Sequence, residues 1–199
     1  ACGTGDIGRL FLESVNYKGL VYNVDPNKNM INEGKKKFKN IDSIKWFVNS
    51  AEDLKFKDNY FDFYTISFGL RNTKDIDKSI KEAFRVLKPG GSVYSMFYNK
   101  NSLLYYHSIM YLRGVVDGEF ERGLTEEDLV SKYSEAETGC PYTKIYTEDS
   151  IEKLFYDNGF GKVETQIDSP HIDTLEERKV EIKNLPRNLG WHISTKATK

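Results

Sequence analysis

The chain has 199 residues, 39% of them hydrophobic, and its 29 basic and 30 acidic side chains leave a formal charge of −1. That length suits one domain with a real core, and the charge balance excludes a global field that would gather the chain onto nucleic acid or an anionic membrane. No apolar run approaches the roughly 20 residues of a membrane-spanning helix and no charged-then-apolar leader is read, so a cytoplasmic protein is expected.

In chain order, the first feature is a glycine-rich turn, Gly3-Thr4-Gly5-Asp6-Ile7-Gly8, with no strand before it. A first strand is therefore expected upstream of Ala1, and the domain is expected to be N-terminally incomplete. β-rich runs follow at Leu20 to Asp25, Ile44 to Asn49, Phe61 to Phe68 and Ser92 to Tyr98, each suited to a short buried strand. Between the last two, Ile76, Ile80, Ala83, Phe84 and Leu87 recur at helical spacing, which predicts a helix over Thr73 to Lys88 with Pro89-Gly90-Gly91 as its stop. Alternation of this kind builds a doubly wound, mostly parallel sheet covered by helices on both faces. Residues 99–146 break the pattern. Apolar spacing in Leu103 to Val116 predicts one or two helices there, in an insertion or lid. A helix at Thr147 to Asn158 ended by Gly159, a strand at Lys162 to Ile167, a charged helix at Leu175 to Asn184 and a last strand at Trp191 to Thr198 complete the reading. Cys2 and Cys140 lie far apart with no CxxC or Cys/His cluster, so neither a disulfide framework nor structural zinc is expected.

The GxGxxG spacing lets backbone pass close under a ligand and open a helix. Asp25 follows about 20 residues later at the end of a strand, where a carboxylate accepts the hydroxyl protons of a ribose. An adenosyl group suits the pair, and two cofactor classes carry one. In a dinucleotide site the helix N-terminus faces a pyrophosphate, which Asp6 would repel. S-adenosylmethionine carries an ammonium and a sulfonium, which a nearby carboxylate stabilises. Asp6 also suits a helix N-cap. Ser50-Ala51-Glu52-Asp53-Leu54, after the next strand, sits where an adenine edge would lie.

Those runs, with Asn59-Tyr60-Phe61-Asp62, Ile66-Ser67-Phe68-Gly69-Leu70-Arg71-Asn72 and Arg85-Val86-Leu87-Lys88-Pro89-Gly90-Gly91, resemble the class I methyltransferases. The ubiquinone/menaquinone biosynthesis C-methyltransferase family is the nearest likeness, over residues 1–95. The resemblance implies a seven-stranded Rossmann-like α/β sheet with a reversed last strand, S-adenosylmethionine as donor and S-adenosylhomocysteine as product. It implies that Gly3, Thr4, Gly5 and Asp6 line the methionine part of the donor, Asp25 and Pro26 the ribose, Ala51 and Glu52 the adenine, and Ser67 and Phe68 the wall beside the methyl group. Ser50 stands where the family carries an acidic residue, and residues 99–146 depart from the family pattern.

For the acceptor, a phenol- or quinol-like compound, His107 is the candidate base because histidine titrates near neutral pH. Tyr98, Tyr105, Tyr106 and Tyr111 are candidates for an aromatic wall. Arg71 and Arg113 are candidates to pair with an anionic group. His171 and His192 are read as loop and strand residues without chemistry. Two other readings stay open: a nicotinamide-dependent oxidoreductase sharing the glycine turn, and a non-catalytic scaffold that keeps the fold.

Overall fold

A computed structural model describes residues 1–67, 69–134, 143–169, 171–173, 179–181 and 186–199. Phe68 and Cys140 lie outside the described residues. The first half alternates as expected: α1 (Asp6–Ser14), β1 (Val21–Asp25), α2 (Lys28–Lys37), β2 (Ile44–Val48), β3 (Phe61–Ile66), α3 (Ile76–Val86) and β4 (Leu87–Asn99). Local chemistry sets the boundaries. The Asn27 side chain accepts from the N–H groups of Asn29 and Met30 to open α2, whose last turn carries Lys35, Lys36 and Lys37 against the helix dipole. Asp75 does the same for α3 by accepting from Lys78 N. Pro89-Gly90-Gly91 is not a spacer between α3 and β4. It lies inside β4, where Phe61 pairs with Leu87 and Phe63 with Ser92, so the extra residues are absorbed as a bulge. Gly90 takes φ +80 there.

The segment after β4, expected to be an insertion, begins with a π-helix over Leu104–Val116, one helix of wider winding than the apolar spacing predicted, followed by α4 (Glu126–Ser134). Tyr98, Leu104, Tyr105, Ile109, Leu129, Val130 and Trp191 form its own buried cluster. β5 (Ile145–Tyr146) and α5 (Glu148–Asp157) follow, the helix opened by a reciprocal Thr147–Ser150 capping box. β6 (Lys162–Asp168) leads to a hairpin of β7 (His171–Asp173) and β8 (Lys179–Glu181), and β9 (His192–Thr198) closes the chain. The charged helix expected over Leu175 to Asn184 is therefore corrected at its centre, where Lys179–Glu181 is a strand paired with β7; the flanking residues lie outside the described ones. His171, expected in a loop, is on that hairpin too.

The strands form a five-stranded sheet in the order β3-β4-β9-β6, with β5 beside the end of β4, and a separate parallel pair β1-β2. β3 runs parallel to β4, while β9 is antiparallel to both β4 and β6, so the reversed last strand is present. The main core lies under α3 and α5 and includes Ile66, Ile80, Leu87, Val93, Phe155 and Ile193. A much smaller cluster of Leu12, Phe38 and Ile44 supports β1 and β2. Residues 21–24 of β1 and Phe61, Phe63, Tyr64 and Thr65 of β3 face each other across a cavity of about 340 Å³, lined mostly by apolar side chains. Among the described residues no strand pairs with the facing edges of β1 and β3.

Candidate functional site

The glycine turn is built as its sequence demands. Gly3 and Gly5 take φ +54 and +85, the left-handed region that glycine enters without strain. Gly5 N–H closes the turn on Cys2 O at 2.9 Å, and Gly5 O accepts from Arg9 N as α1 begins. A Cβ at Gly5 would collide with the side chains of Asn23 and Trp46, whereas one at Gly3 would meet open space, so the turn is packed beneath Gly5 and open at Gly3.

Asp25 joins this turn to the sheet. It is 8% exposed; one carboxylate oxygen accepts from Gly3 N at 2.9 Å and the other from Asn27 N at 2.8 Å. A carboxylate has about four lone-pair sites, so both bonds leave room for hydroxyl donors. Pro26 follows as an exposed bend. Asp6 is not the N-cap, which is Gly5; it is the first residue of α1 and makes no backbone cap. Its carboxylate accepts from Lys37 Nζ and from Thr4 Oγ1, and these bonds, Lys37 first, hold its pKa below the ordinary 3.8. The position fails as a cap because its side chain turns to the α2 lysine.

After β2, Ala51 packs into the main core. Glu52 accepts from Asp75 N at 3.0 Å and from Lys74 N at the start of α3. The loop is gripped by a residue that sequence reasoning did not single out for function. Arg85 donates to Leu54 O and Phe56 O, both at 2.8 Å, and to Asp58 Oδ1 at 2.6 Å, while Glu82 accepts from Arg85 and from Leu54 N. Glu82 is held below the usual carboxylate range by Arg85 first, and Arg85 is pushed above its own range in return. Nothing local in Arg85-Val86-Leu87 distinguishes a loop clamp from a surface arginine.

The strand ends bring part of the acceptor set together. Ser67, Arg71 and Tyr98 share one cavity of about 10 Å³ with Lys144 and Tyr146, neither of them singled out by the sequence. Tyr98 is buried and stacks on Trp191 with ring centroids 4.8 Å apart. Five other candidates line neither of these two cavities. Arg113 donates to Asp117 at 2.9 Å and lies over the Tyr133 ring. Tyr106 and Tyr111 are exposed, Tyr105 is buried with its hydroxyl donating to Glu126, and His107 tilts against Tyr111. The proposed aromatic wall is thus split between opposite surroundings. No group of three or more His, Cys, Asp or Glu able to hold a metal occurs among the described residues, and no described helix is long and apolar enough to cross a membrane.

A mostly parallel sheet whose first glycine turn is tied to a carboxylate at the next strand end defines a nucleoside-binding, Rossmann-like α/β protein. Solved structures share the fold: a SAM-dependent methyltransferase from Methanosarcina mazei aligns over 100% of this chain and 89% of its own, with TM-score 0.68 and 22% identity. The YcgJ protein from Bacillus subtilis aligns over 100% and 88%, with TM-score 0.63 and 15% identity.

The sequence narrows the class. The ubiE/COQ5 methyltransferase family matches residues 1–117, and the chain belongs to that family. The ubiquinone/menaquinone biosynthesis C-methyltransferase UbiE of Francisella tularensis subsp. holarctica is 34% identical over 169 residues, covering 83% of this chain and 66% of that protein. The homologue of the same name from Serratia proteamaculans is 43% identical over 103 residues, covering 50% of this chain and 41% of its own.

Proposed function

We propose that this protein transfers a methyl group from S-adenosylmethionine to a small-molecule acceptor of phenol or quinol type. The observation that carries the reading is the bond from Gly3 N–H to the buried Asp25 carboxylate, which fixes an open glycine turn against a carboxylate with acceptor sites to spare. Those residues fit the donor: Gly3, Thr4, Gly5 and Asp6 would lie along its methionine part, Asp25 and Pro26 at the ribose, Ala51 and Glu52 at the adenine, and Ser67 beside the methyl. When bound, the donor supplies a methyl already activated by positive sulfur.

The chain's own residues then have mainly to align and to exclude water. Asp25 holds the ribose and thereby the register of the donor along the turn. Asp6 offers negative charge toward an ammonium, in competition with Lys37. Arg85 fixes the loop carrying Ala51 and Glu52. Arg71 and Tyr98 orient the acceptor at the ends of β3 and β4, and the insertion over residues 99–146 acts as a lid that brings His107, Tyr106 and Arg113 toward it. His107 takes the proton that the acceptor releases. The cleft between β1 and β3 is read as the seat of one more strand, which would join the pair β1-β2 to the larger sheet and give seven strands besides the two-residue β5.

Calorimetry with S-adenosylmethionine and NAD tests the donor. Binding of S-adenosylmethionine without NAD is expected; binding of NAD alone would support an oxidoreductase and overturn the assignment, and binding of neither would leave a scaffold.

A further inference from the structure

The cavity at the ends of β3, β4 and β5 is lined by Ser67, Arg71, Tyr98, Lys144 and Tyr146 among others, and its volume is about 10 Å³. Roughly 10–15 Å³ is the space one water needs, so this pocket takes a single oxygen-sized group and no ring. Among the described residues that line it, the charged ones are Arg71 and Lys144. Tyr146 is 8% exposed, and its ring packs edge-on against Phe97 with centroids 5.0 Å apart. Lys144 Nζ lies over the same ring at 5.5 Å. The Tyr146 hydroxyl is buried and has no hydrogen-bond partner.

A buried hydroxyl left unpaired costs about 1–3 kcal/mol, and phenylalanine would fill the same packing site without that cost. Burial, and then the negative charge of Asp77, push the phenol up to about 12, so it stays a protonated donor throughout the neutral range. A donor held ready, two nearby cations and room for one oxygen make a consistent set.

We propose that this cavity is an oxygen-anchoring subsite in which Tyr146 donates a hydrogen bond to a hydroxyl or oxyanion oxygen of the methyl acceptor, with Arg71 and Lys144 supplying positive charge. The inference rests on the methyltransferase reading and deepens it, because it defines the acceptor as a compound carrying an acidic hydroxyl conjugated with the carbon to be methylated. The charges of Arg71 and Lys144 favour that oxygen's ionised form against the opposing charge of Asp77, and an ionised oxygen raises electron density on the adjacent ring carbon. Tyr146 binds the oxygen and takes no part in the bond that forms.

The test uses hydroquinone and its dimethyl ether as probes, titrated into the chain saturated with S-adenosylhomocysteine, and compares it with Tyr146→Phe. Hydroquinone affinity should fall at least tenfold in the variant, and the ether should show no difference between the two proteins. The variant's melting temperature should stay level or rise, since no bond in the protein itself is lost. Equal hydroquinone affinity, no hydroquinone binding to the unmodified chain, or a lowered melting temperature would overturn the proposal while leaving the donor assignment intact. Failure of S-adenosylhomocysteine to bind would instead remove the methyltransferase reading and this inference with it.

Discussion

The two parts of the sheet are held by different means. β3, β4, β9 and β6 form long ladders over a broad core, with Leu87 and Ile193 fully buried. β1 and β2 pair only with each other and rest on three buried side chains, Leu12, Phe38 and Ile44. The residues proposed for the donor at the glycine turn, Gly3, Gly5 and Asp25, belong to the weakly supported part, while Ser67, Arg71, Tyr98 and Tyr146 belong to the strongly supported one. Donor binding is therefore expected to be sensitive to the stability of the small part, and acceptor binding to the local chemistry of the large one.

The largest expected effect is at the turn. Gly5→Val combines a left-handed φ with a collision against Asn23 and Trp46, a loss of roughly 4 kcal/mol. Urea unfolding should show it as an early transition of the β1-β2 part, read by Trp46 fluorescence; an unchanged midpoint would mean that the turn is less tightly fixed than described. Next comes the cleft. Ile7, Leu20 and Phe63 line it at 53%, 60% and 50% exposure, and covering them should add about 3 kcal/mol. A chain extended at its N-terminus by an apolar strand should melt higher, with the two parts unfolding together, whereas a proline-interrupted extension should do neither.

The smallest effect is electrostatic. Lys37 and Thr4 hold the Asp6 carboxyl below its ordinary 3.8, so the ionised form favours the folded state. That contribution is complete above 3.8 and is lost as the pH falls through the folded value. Because the pair is exposed, it is worth less than about 1 kcal/mol. Asp6→Asn should flatten the acid limb of stability by that small amount, measured by melting temperature from pH 5 downward; an unaltered limb would show that the Lys37 pairing has no thermodynamic weight.

The sequence disclosed the small part better than the large one. The Gly3 to Gly8 turn and Asp25 are read from local spacing, because a positive φ and a strand-end carboxylate need particular residues at particular places. Arg85 and Tyr146 are different: their roles come from where distant segments converge, Leu54, Phe56 and Asp58 on one and β4 with Lys144 on the other. Apolar spacing also does not distinguish a π-helix from an α-helix in Leu104–Val116, since one wide face satisfies both. Lys179-Val180-Glu181 misleads because a short, mostly charged strand carries no alternation long enough to outweigh its helix-like composition.

The central claim is that Asp25 secures the donor as well as the turn. Calorimetric titration of S-adenosylhomocysteine into the chain and into Asp25→Asn tests it most directly, because asparagine keeps one acceptor for Gly3 N–H but loses the charge and the second carboxylate oxygen. A loss of affinity of about thirtyfold or more is the predicted result; equal affinity in the two proteins would contradict the account.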